Sequence, residues 1–275
     1  MARKPAFISH SREREVQVQK NLQAALEGRF RRVIAGEIER ERHRLASAYR
    51  ESGSMPPQDD GHRQRMRGVY YDMDHASIRT FGARVLTQGK ALGLTLETKQ
   101  TFAEIFEAMA IAFINSEAIR RRITSVTDTT RADIVSAIQL GQESGLSLDE
   151  ISAMIVSETP LRSRMRASII ARTEIHAASN YGAQESAKRT GLSLKKEWVA
   201  VEDARTRDFG EADGIVDQFS HRAMDGQTVE MDGKFRMPQK NGTFVLCDYP
   251  GDPTLPAAGA INCRCQIAHV VDDDF

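Results

Sequence analysis

From Arg162 to Gly191 the chain reads RSRMRASIIARTEIHAASNYGAQESAKRTG, and the segments on either side of it differ in kind. The stretch is rich in helix formers, has no proline and carries one internal glycine, Gly182. It predicts one long helix from Arg162 to Thr190, entered after a break at Pro160 and stopped by Gly191. Before it the apolar residues recur at helical spacing. From Leu192 onward Gly, Pro, Asp and Asn become frequent, and short apolar runs at Trp198–Val201, Gly242–Leu246 and Gln266–Val271 read as strands. The expected fold class is therefore α+β: a mainly α-helical N-terminal and central body, with a small strand-and-loop-rich C-terminal module.

Working toward the N-terminus, Glu13 to Arg50 has no proline. Val16, Leu22, Leu26, Phe30, Val33, Ile34, Ile38 and Leu45 recur along it as the stripe of an amphipathic helix or helical pair. The stripe is narrow and the other faces are crowded with Arg and Glu, so the segment needs a partner surface. Glu51 to Gly61 (ESGSMPPQDDG) is a breaker cluster, and Tyr70 to Leu94 reads as partly helical. Thr101-Phe-Ala-Glu104 has the form of a capping box and opens a helix through about Ile119, with Arg120-Arg-Arg122 at its C-terminal end. Asp128 or Thr129 then caps a helix that stops at Gly145, and Ser147-Leu-Asp-Glu150 is a second capping box. Three regions follow: 1–100, a helical region suited to docking a partner; 101–191, a helical central part; and 192–275, the small α+β module.

Composition bounds the function. The chain has 275 residues, 40% hydrophobic and 28% charged, which is ample for a buried core and too apolar for disorder. Lys plus Arg equals Asp plus Glu at 38 each, which excludes a wholly basic nucleic-acid coat. A local patch is allowed, since residues 1–70 carry 15 Lys/Arg against 9 Asp/Glu. The longest apolar run, Ala108 to Ile114, falls far short of the ~20 residues of a membrane span, so no membrane partner is expected. The first residues, MARKPAFISHSRERE, lack the apolar core of a secretory signal. Three cysteines, all in the last 29 residues, suit a reduced compartment with a local cysteine site better than a disulfide framework.

The densest chemistry is C-terminal. Cys263 and Cys265 are two apart, so on extended backbone both sulfurs face one side. Cys247 lies a loop's length upstream, and His221 or His269 can complete a Cys3His set. The candidate metal ligands are therefore His221, Cys247, Cys263 and Cys265 around a structural zinc. Three cysteines buried as small apolar residues is the plainer alternative. Asp203-Ala-Arg205-Thr-Arg207 followed by His221 has the ingredients of a phosphodiester-cleaving site: His as general base, Arg as phosphate clamp. The rival reading is that these Asp and Arg residues form ion pairs tying loops together. Arg172 and Glu174 sit on the long helix, two apart and not facing each other, and suit a packed interface. Arg162, Arg164 and Arg166, with Lys188, Lys195 and Lys196, can track a phosphate backbone; aromatics for base stacking are nearly absent among them.

Three blocks, taken in order, resemble a known family. The first is Ile170-Ala-Arg-Thr-Glu174 with Asn180 and Gly182. The second is Trp198, Asp203-Ala-Arg-Thr-Arg207, His221 and Met224-Asp-Gly226. The third is Pro250-Gly-Asp-Pro253 leading to Ile261-Asn-Cys-Arg-Cys265. This order is similar to that of the phage Mu protein F-like head morphogenesis, or minor capsid, proteins of tailed phages and prophages, over about residues 120–270. The matched motif positions are Arg172, Glu174, Asn180, Trp198, Asp203, Arg205, Arg207, Asp225, Gly226, Asn262 and Arg264. Two departures stand out. Thirteen residues separate Arg207 from His221, where many relatives have only a few, and Ala260-Ile261 stands where some relatives have His-Pro.

The resemblance implies a non-enzymatic component of the phage head, acting in procapsid assembly with the portal protein and the major capsid protein. Contact with packaged DNA is implied for some members. The location it implies is the virion, and the host cytoplasm during assembly. The competing readings are a metal-dependent nuclease or phosphodiesterase using His221 and the nearby Arg residues, and a DNA-binding protein without catalysis.

Overall fold

The computed structural model describes residues 12–91, 100–157, 160–201, 203, 205–210 and 217–271. Seven α-helices and five strands occur among them: α1 Arg12–Ser52, α2 Gly61–Ala91, α3 Phe102–Ile114, α4 Glu117–Glu143, α5 Leu148–Ser157, α6 Pro160–Lys188, β1 Leu194–Val199, β2 Thr228–Glu230, β3 Phe235–Pro238, β4 Phe244–Cys247, α7 Ala257–Ala260 and β5 Gln266–Val271. A single 3-10 turn, Arg222–Met224, precedes β2. The class is α+β, as expected.

Both capping boxes form. Thr101 and Glu104 exchange bonds at the start of α3, with Glu104 accepting from the Thr101 N–H at 2.7 Å. Ser147 and Glu150 do the same for α5 at 2.8 Å. Gly145 and Gly191 take the left-handed conformation at φ 70° that ends a helix. Pro160 occupies the first position of α6, where its missing N–H costs nothing.

Two helix boundaries differ from the sequence expectation: α2 starts at Gly61 rather than near Tyr70 (Leu94, its expected end, lies outside the described residues), and a break falls before α4. α3 stops at Ile114, and a new helix starts at Glu117, capped by the Ser116 hydroxyl accepting from the Ile119 N–H. Arg120–Arg122 therefore lie near the beginning of α4, and Asp128 and Thr129 lie in its middle rather than at a cap.

The residues group into two compact units. The first is Met1–Leu26, Met73–Phe113 and Arg172–Phe275; the second is Glu27–Asp72 and Ile114–Ala171. The sequence boundary at residue 191 marks the change from helix to strand and loop, while the division into compact units falls elsewhere.

In the second unit the core gathers Leu45, Tyr49, Ile134, Ile138, Ile151 and Ile155. Phe30, Ile34 and Ile38 of α1 are also buried. Of the apolar stripe of α1, which the sequence left in need of a partner, Leu45 packs with residues of α4 and α5, while Val33 is exposed. Burial extends to charge: Arg65 of α2 spans Glu37 at 2.6 Å and Glu41 at 2.8 Å, both carboxylates nearly inaccessible. Paired and hydrogen-bonded in this way, buried carboxylates are tolerable.

In the first unit β1 is the centre of an antiparallel sheet ordered β2-β1-β5, with Lys196 opposite both Val229 and His269. β3 and β4 form a separate hairpin, Phe235 opposite Cys247. The core packs Trp198, Phe219, Met224, Phe235, Met237 and Ile267 together with Phe81, Val85, Ala183 and Ala187 of α2 and α6. Helices α2 and α6 approach closely at glycines. A Cβ on Gly182 would stand 2.7 Å from the Ile78 Cα, and one on Gly82 would stand 2.6 Å from the Ser186 hydroxyl.

Candidate functional site

The segment Asn262–Cys265 enters β5 from a tight turn. Asn262 sits at φ 59°, a left-handed conformation that asparagine tolerates better than most residues. After it the backbone is extended, and alternate side chains point to opposite sides. Cys263 and Cys265 turn inward, and Arg264 between them turns outward. The inward pair meets His221, whose Nδ1 lies 3.6 Å from the Cys263 Sγ and 3.5 Å from the Cys265 Sγ. All three donors lie within 4.8 Å of one another and are 2%, 1% and 3% exposed respectively. This group can hold a metal ion. Cys263 is held well below the ordinary thiol range, chiefly by its hydrogen bond from Cys265 and then by His221, while Cys265 is pushed well above it.

Three supports fix the imidazole. Its backbone N–H bonds the Arg207 carbonyl at 2.9 Å. The 3-10 turn Arg222–Met224 begins directly after it. The Trp198 indole stands edge-on at 5.6 Å between ring centres. Nε2 of His221 is buried without a hydrogen-bond partner among the described residues.

The motif residues carried by the resemblance form the frame around this group. Arg264 grips Asp203 with both terminal nitrogens, one at 2.6 Å. Asp203 also accepts the Arg205 N–H at 3.0 Å, and Arg264 holds its carboxyl down to about 2. Arg207 donates to the Ile261 carbonyl and faces Asp217 at 3.8 Å. Asp225 accepts the Ala200 N–H at 2.8 Å, and Gly226, at φ 74°, bonds the Trp198 carbonyl. From α6, Arg172 reaches Asn262 at 3.4 Å. Asn180 donates to the Pro250 and Cys265 carbonyls at 2.8 and 3.1 Å and accepts from Ile267 N–H at 3.0 Å. Glu174 is buried on the same helix. Asp203 forms its ion pair with Arg264, which the sequence had not paired with it, while Arg205 contributes a backbone N–H and Arg207 faces Asp217.

Other candidates stand apart. Cys247, expected as a ligand, is on β4 facing the core, outside the His–Cys–Cys group. Burial pushes its thiol far up, with Asp252 adding to it. His269, the other histidine considered, lies across from Lys196 in the sheet; burial, then the Lys196 charge, lowers it to about 3.

Lys196 is removed from any phosphate-binding surface, because it is fully buried. Its ammonium donates to the Asp248 carbonyl at 2.8 Å and to Gln184 at 3.1 Å, and burial lowers it to about 8. Arg166 is tied to Asp133 at 3.1 Å and to the Val126 carbonyl. Lys188 and Lys195 face Glu185 and Glu230. Arg162 and Arg164 are exposed. The nuclease grouping does not assemble either: His221 faces two sulfurs inside the module, and Arg205 is exposed. Of the 13 residues between Arg207 and His221, 211–216 lie outside the described residues, as does the acidic tail 272–275.

Two contributors carried no sequence signal that marked them. Thr173 accepts the Asn262 N–H at 3.0 Å, and Gln184 receives the buried Lys196. Their spacing along α6 places them on its module-facing side, but their partners lie in loops and strands whose positions no local pattern fixes.

The sequence model of the phage Mu protein F-like proteins matches residues 128–268, just over half of the chain. The chain belongs to the phage Mu protein F-like family. The match contains the whole frame just described, from Arg172 to Cys265. Membership of this family supports a phage head morphogenesis protein. Among curated proteins, this Mu F-like chain is 27% identical over 210 residues to "NAD(+)--arginine ADP-ribosyltransferase EFV" of Enterococcus faecalis (strain ATCC 700802 / V583), an alignment covering 71% of this chain and 39% of that protein. It is 29% identical over 130 residues to "Uncharacterized protein YqbB" of Bacillus subtilis (strain 168), covering 47% of this chain and 38% of that one. The chain thus spans about two fifths of the length of these relatives. No solved structure matches it significantly. No helix among the described residues is long and apolar enough to cross a membrane.

Proposed function

We propose that this Mu F-like chain is a minor, non-enzymatic component of a tailed-phage or prophage head. It acts in procapsid assembly, located in the virion and, during assembly, in the host cytoplasm. In this reading the helical body meets the portal protein or the inner surface of the major capsid shell, and the C-terminal module is a compact element held together by a metal ion in its His–Cys–Cys group. The observation that carries the reading is the family match across the whole frame from Arg172 to Cys265. The burial of that frame supports a structural rather than catalytic use: side chains that a nuclease would turn to a phosphodiester are spent on backbone carbonyls, ion pairs and sulfurs. The alignment with the transferase-named relative covers 39% of that protein, so its name lends no activity to this proposal. Contact with packaged DNA, if made, falls to exposed Arg162 and Arg164 rather than to buried Lys196.

The test is quantitative mass spectrometry of purified particles and immature heads from a phage or induced prophage encoding the chain. A few copies per particle, in fixed ratio to the portal, is the expected result. Absence from both particle types overturns the head role. Plasmid cleavage by the pure protein with divalent metals, lost in His221→Ala, would overturn the non-enzymatic reading.

A further inference from the structure

We propose that His221, Cys263 and Cys265 bind one zinc ion as a three-donor site, through Nδ1 and the two Sγ atoms, and that Cys247 takes no part. The inference deepens the metal-centre reading above and is independent of the head role.

The argument is one of distances. Zinc holds cysteine sulfur at about 2.3 Å and histidine nitrogen at about 2.0–2.1 Å in a tetrahedron. Those lengths and a tetrahedral angle put nitrogen and sulfur about 3.6 Å apart. The two nitrogen–sulfur separations here are 3.6 and 3.5 Å. Both nitrogen–sulfur edges of a tetrahedral site are thus already in place, and the third, sulfur–sulfur edge lies within 4.8 Å. Two thiolates and an imidazole are also a donor set that suits zinc and that calcium or magnesium would not select.

Burial points the same way. Each of the three residues is at least nine-tenths buried, and the nearest polar company of the imidazole Nδ1 is the two sulfurs, both weak hydrogen-bond partners. Without an ion, the sulfurs have one another, His221 and nearby N–H groups as partners, while the imidazole Nε2 has none among the described residues. With an ion, the loop after Arg207 is joined to the strand entry 42 and 44 residues later in the chain. A module whose strands run from three to six residues gains much from such a joint.

The fourth position distinguishes this site from a closed Cys3His centre. Cys247 sits in the β3–β4 hairpin opposite Phe235, and its sulfur is not in the group. Among the described residues no other His, Cys, Asp or Glu joins the three. Among the described residues nothing fills the fourth position, which suits a small exogenous donor, water being the simplest.

The test uses the full chain, purified under reducing conditions without chelator, with metal content read by inductively coupled plasma mass spectrometry. One zinc per chain is expected. Cys263→Ser, Cys265→Ser and His221→Asn should each reduce it at least tenfold, and Cys247→Ser should keep it. Because Cys247 is fully buried and its variant can fail to fold, cobalt is also exchanged into the wild type. The sulfur-to-cobalt charge-transfer band, which scales with the number of thiolates, should correspond to two. A wild type that neither carries nor takes up zinc overturns the proposal and the metal centre together. A three-thiolate cobalt band, or zinc lost in a folded Cys247→Ser, overturns the three-donor site alone. Neither result touches the particle measurement that tests the head role.

Discussion

Arg264 and Asp203, 61 residues apart in sequence, form a two-pronged ion pair on the outer side of the strand entry whose inner side presents Cys263 and Cys265. One extended tripeptide thus serves two purposes through alternation alone. Its cysteines face His221 in the interior, and its arginine clamps the loop that begins after β1. The acidic partner is further fixed by the Arg205 N–H, so removing the carboxylate charge releases both the guanidinium and the turn.

Asp203→Asn is therefore expected to lower unfolding free energy by about 1 kcal/mol, the modest figure that suits a partly exposed pair. The pair also sets an acid limit. Asp203 has its carboxyl lowered to about 2, from an ordinary value of 3.8. A depressed carboxylate contributes stability that is present above pH 3.8 and is lost as pH falls toward 2. Denaturant titrations at pH 7 and pH 3 check this: the difference between wild type and Asp203→Asn should narrow at the lower pH. An equal difference at both would refute it.

Asn180 of α6 bonds two carbonyls and one N–H from the Pro250 and Cys265–Ile267 segments. All three bonds are buried, so truncation leaves unsatisfied backbone groups as well as lost bonds. Asn180→Ala should cost about 2–4 kcal/mol. Asn180→Asp should be no better, since a carboxylate cannot donate to the two carbonyls. Thermal unfolding of both variants reads this directly, and a shift under 2 °C in either would show that the bonds contribute little.

Much of this architecture was legible in the sequence, for definite reasons. Capping boxes at Thr101 and Ser147, glycine stops at 145 and 191 and the long α6 are set by contacts within four residues, and local chemistry decides them. The break before α4 was missed because Ser116 lacks an acidic residue three positions on, and the apolar spacing runs through Ile114 to Ile119 without interruption. β2 and β3, at three and four residues, are too short to show a period of two, and depend on partners elsewhere in the module. That Cys263 and Cys265 share a side followed from their spacing, and His221 was one of two histidines, with His269, that residue type offered. The exclusion of Cys247 followed from neither, because the direction of its side chain is set by the β3–β4 hairpin. The same limit applies to Lys196: alternation in β1 marks one face as inward, but both faces are covered here, so a lysine lies where solvent was expected.

Gly182 supplies a test of the helix contact in the first unit. An added methyl would meet the Ile78 backbone at 2.7 and 2.9 Å, and a backbone cannot swing aside as a side chain can. Gly182→Ala should destabilise by about 1–3 kcal/mol despite alanine's better helix propensity. Gly28 is the control, since nothing lies within 4 Å of a Cβ built there. Gly28→Ala should stabilise by about 0.4–1 kcal/mol. Equal effects of the two substitutions would rule out the close approach.

His269 supplies a pH dependence on the acid side of neutrality. Burial, reinforced by the charge of Lys196 opposite it, lowers it from 6.5 to about 3. The folded chain therefore keeps this imidazole neutral, while the unfolded chain takes up a proton once pH drops below 6.5. The unfolded state binds more protons across that window, so stability falls as pH is lowered from 6.5 toward 3. The limiting slope from this one group is about 1.4 kcal/mol per pH unit. Lys196 acts at the alkaline end. Lowered from 10.5 to about 8, it lets stability rise as pH climbs between those values. His269→Gln removes the acid-side proton uptake and leaves the lysine. Melting temperatures measured from pH 9 to 4.5 should fall less steeply below pH 6.5 in His269→Gln than in wild type, and the two curves should run parallel above pH 7.5. Parallel curves across the whole range would show that His269 keeps an ordinary proton affinity in the fold and that other groups govern acid stability.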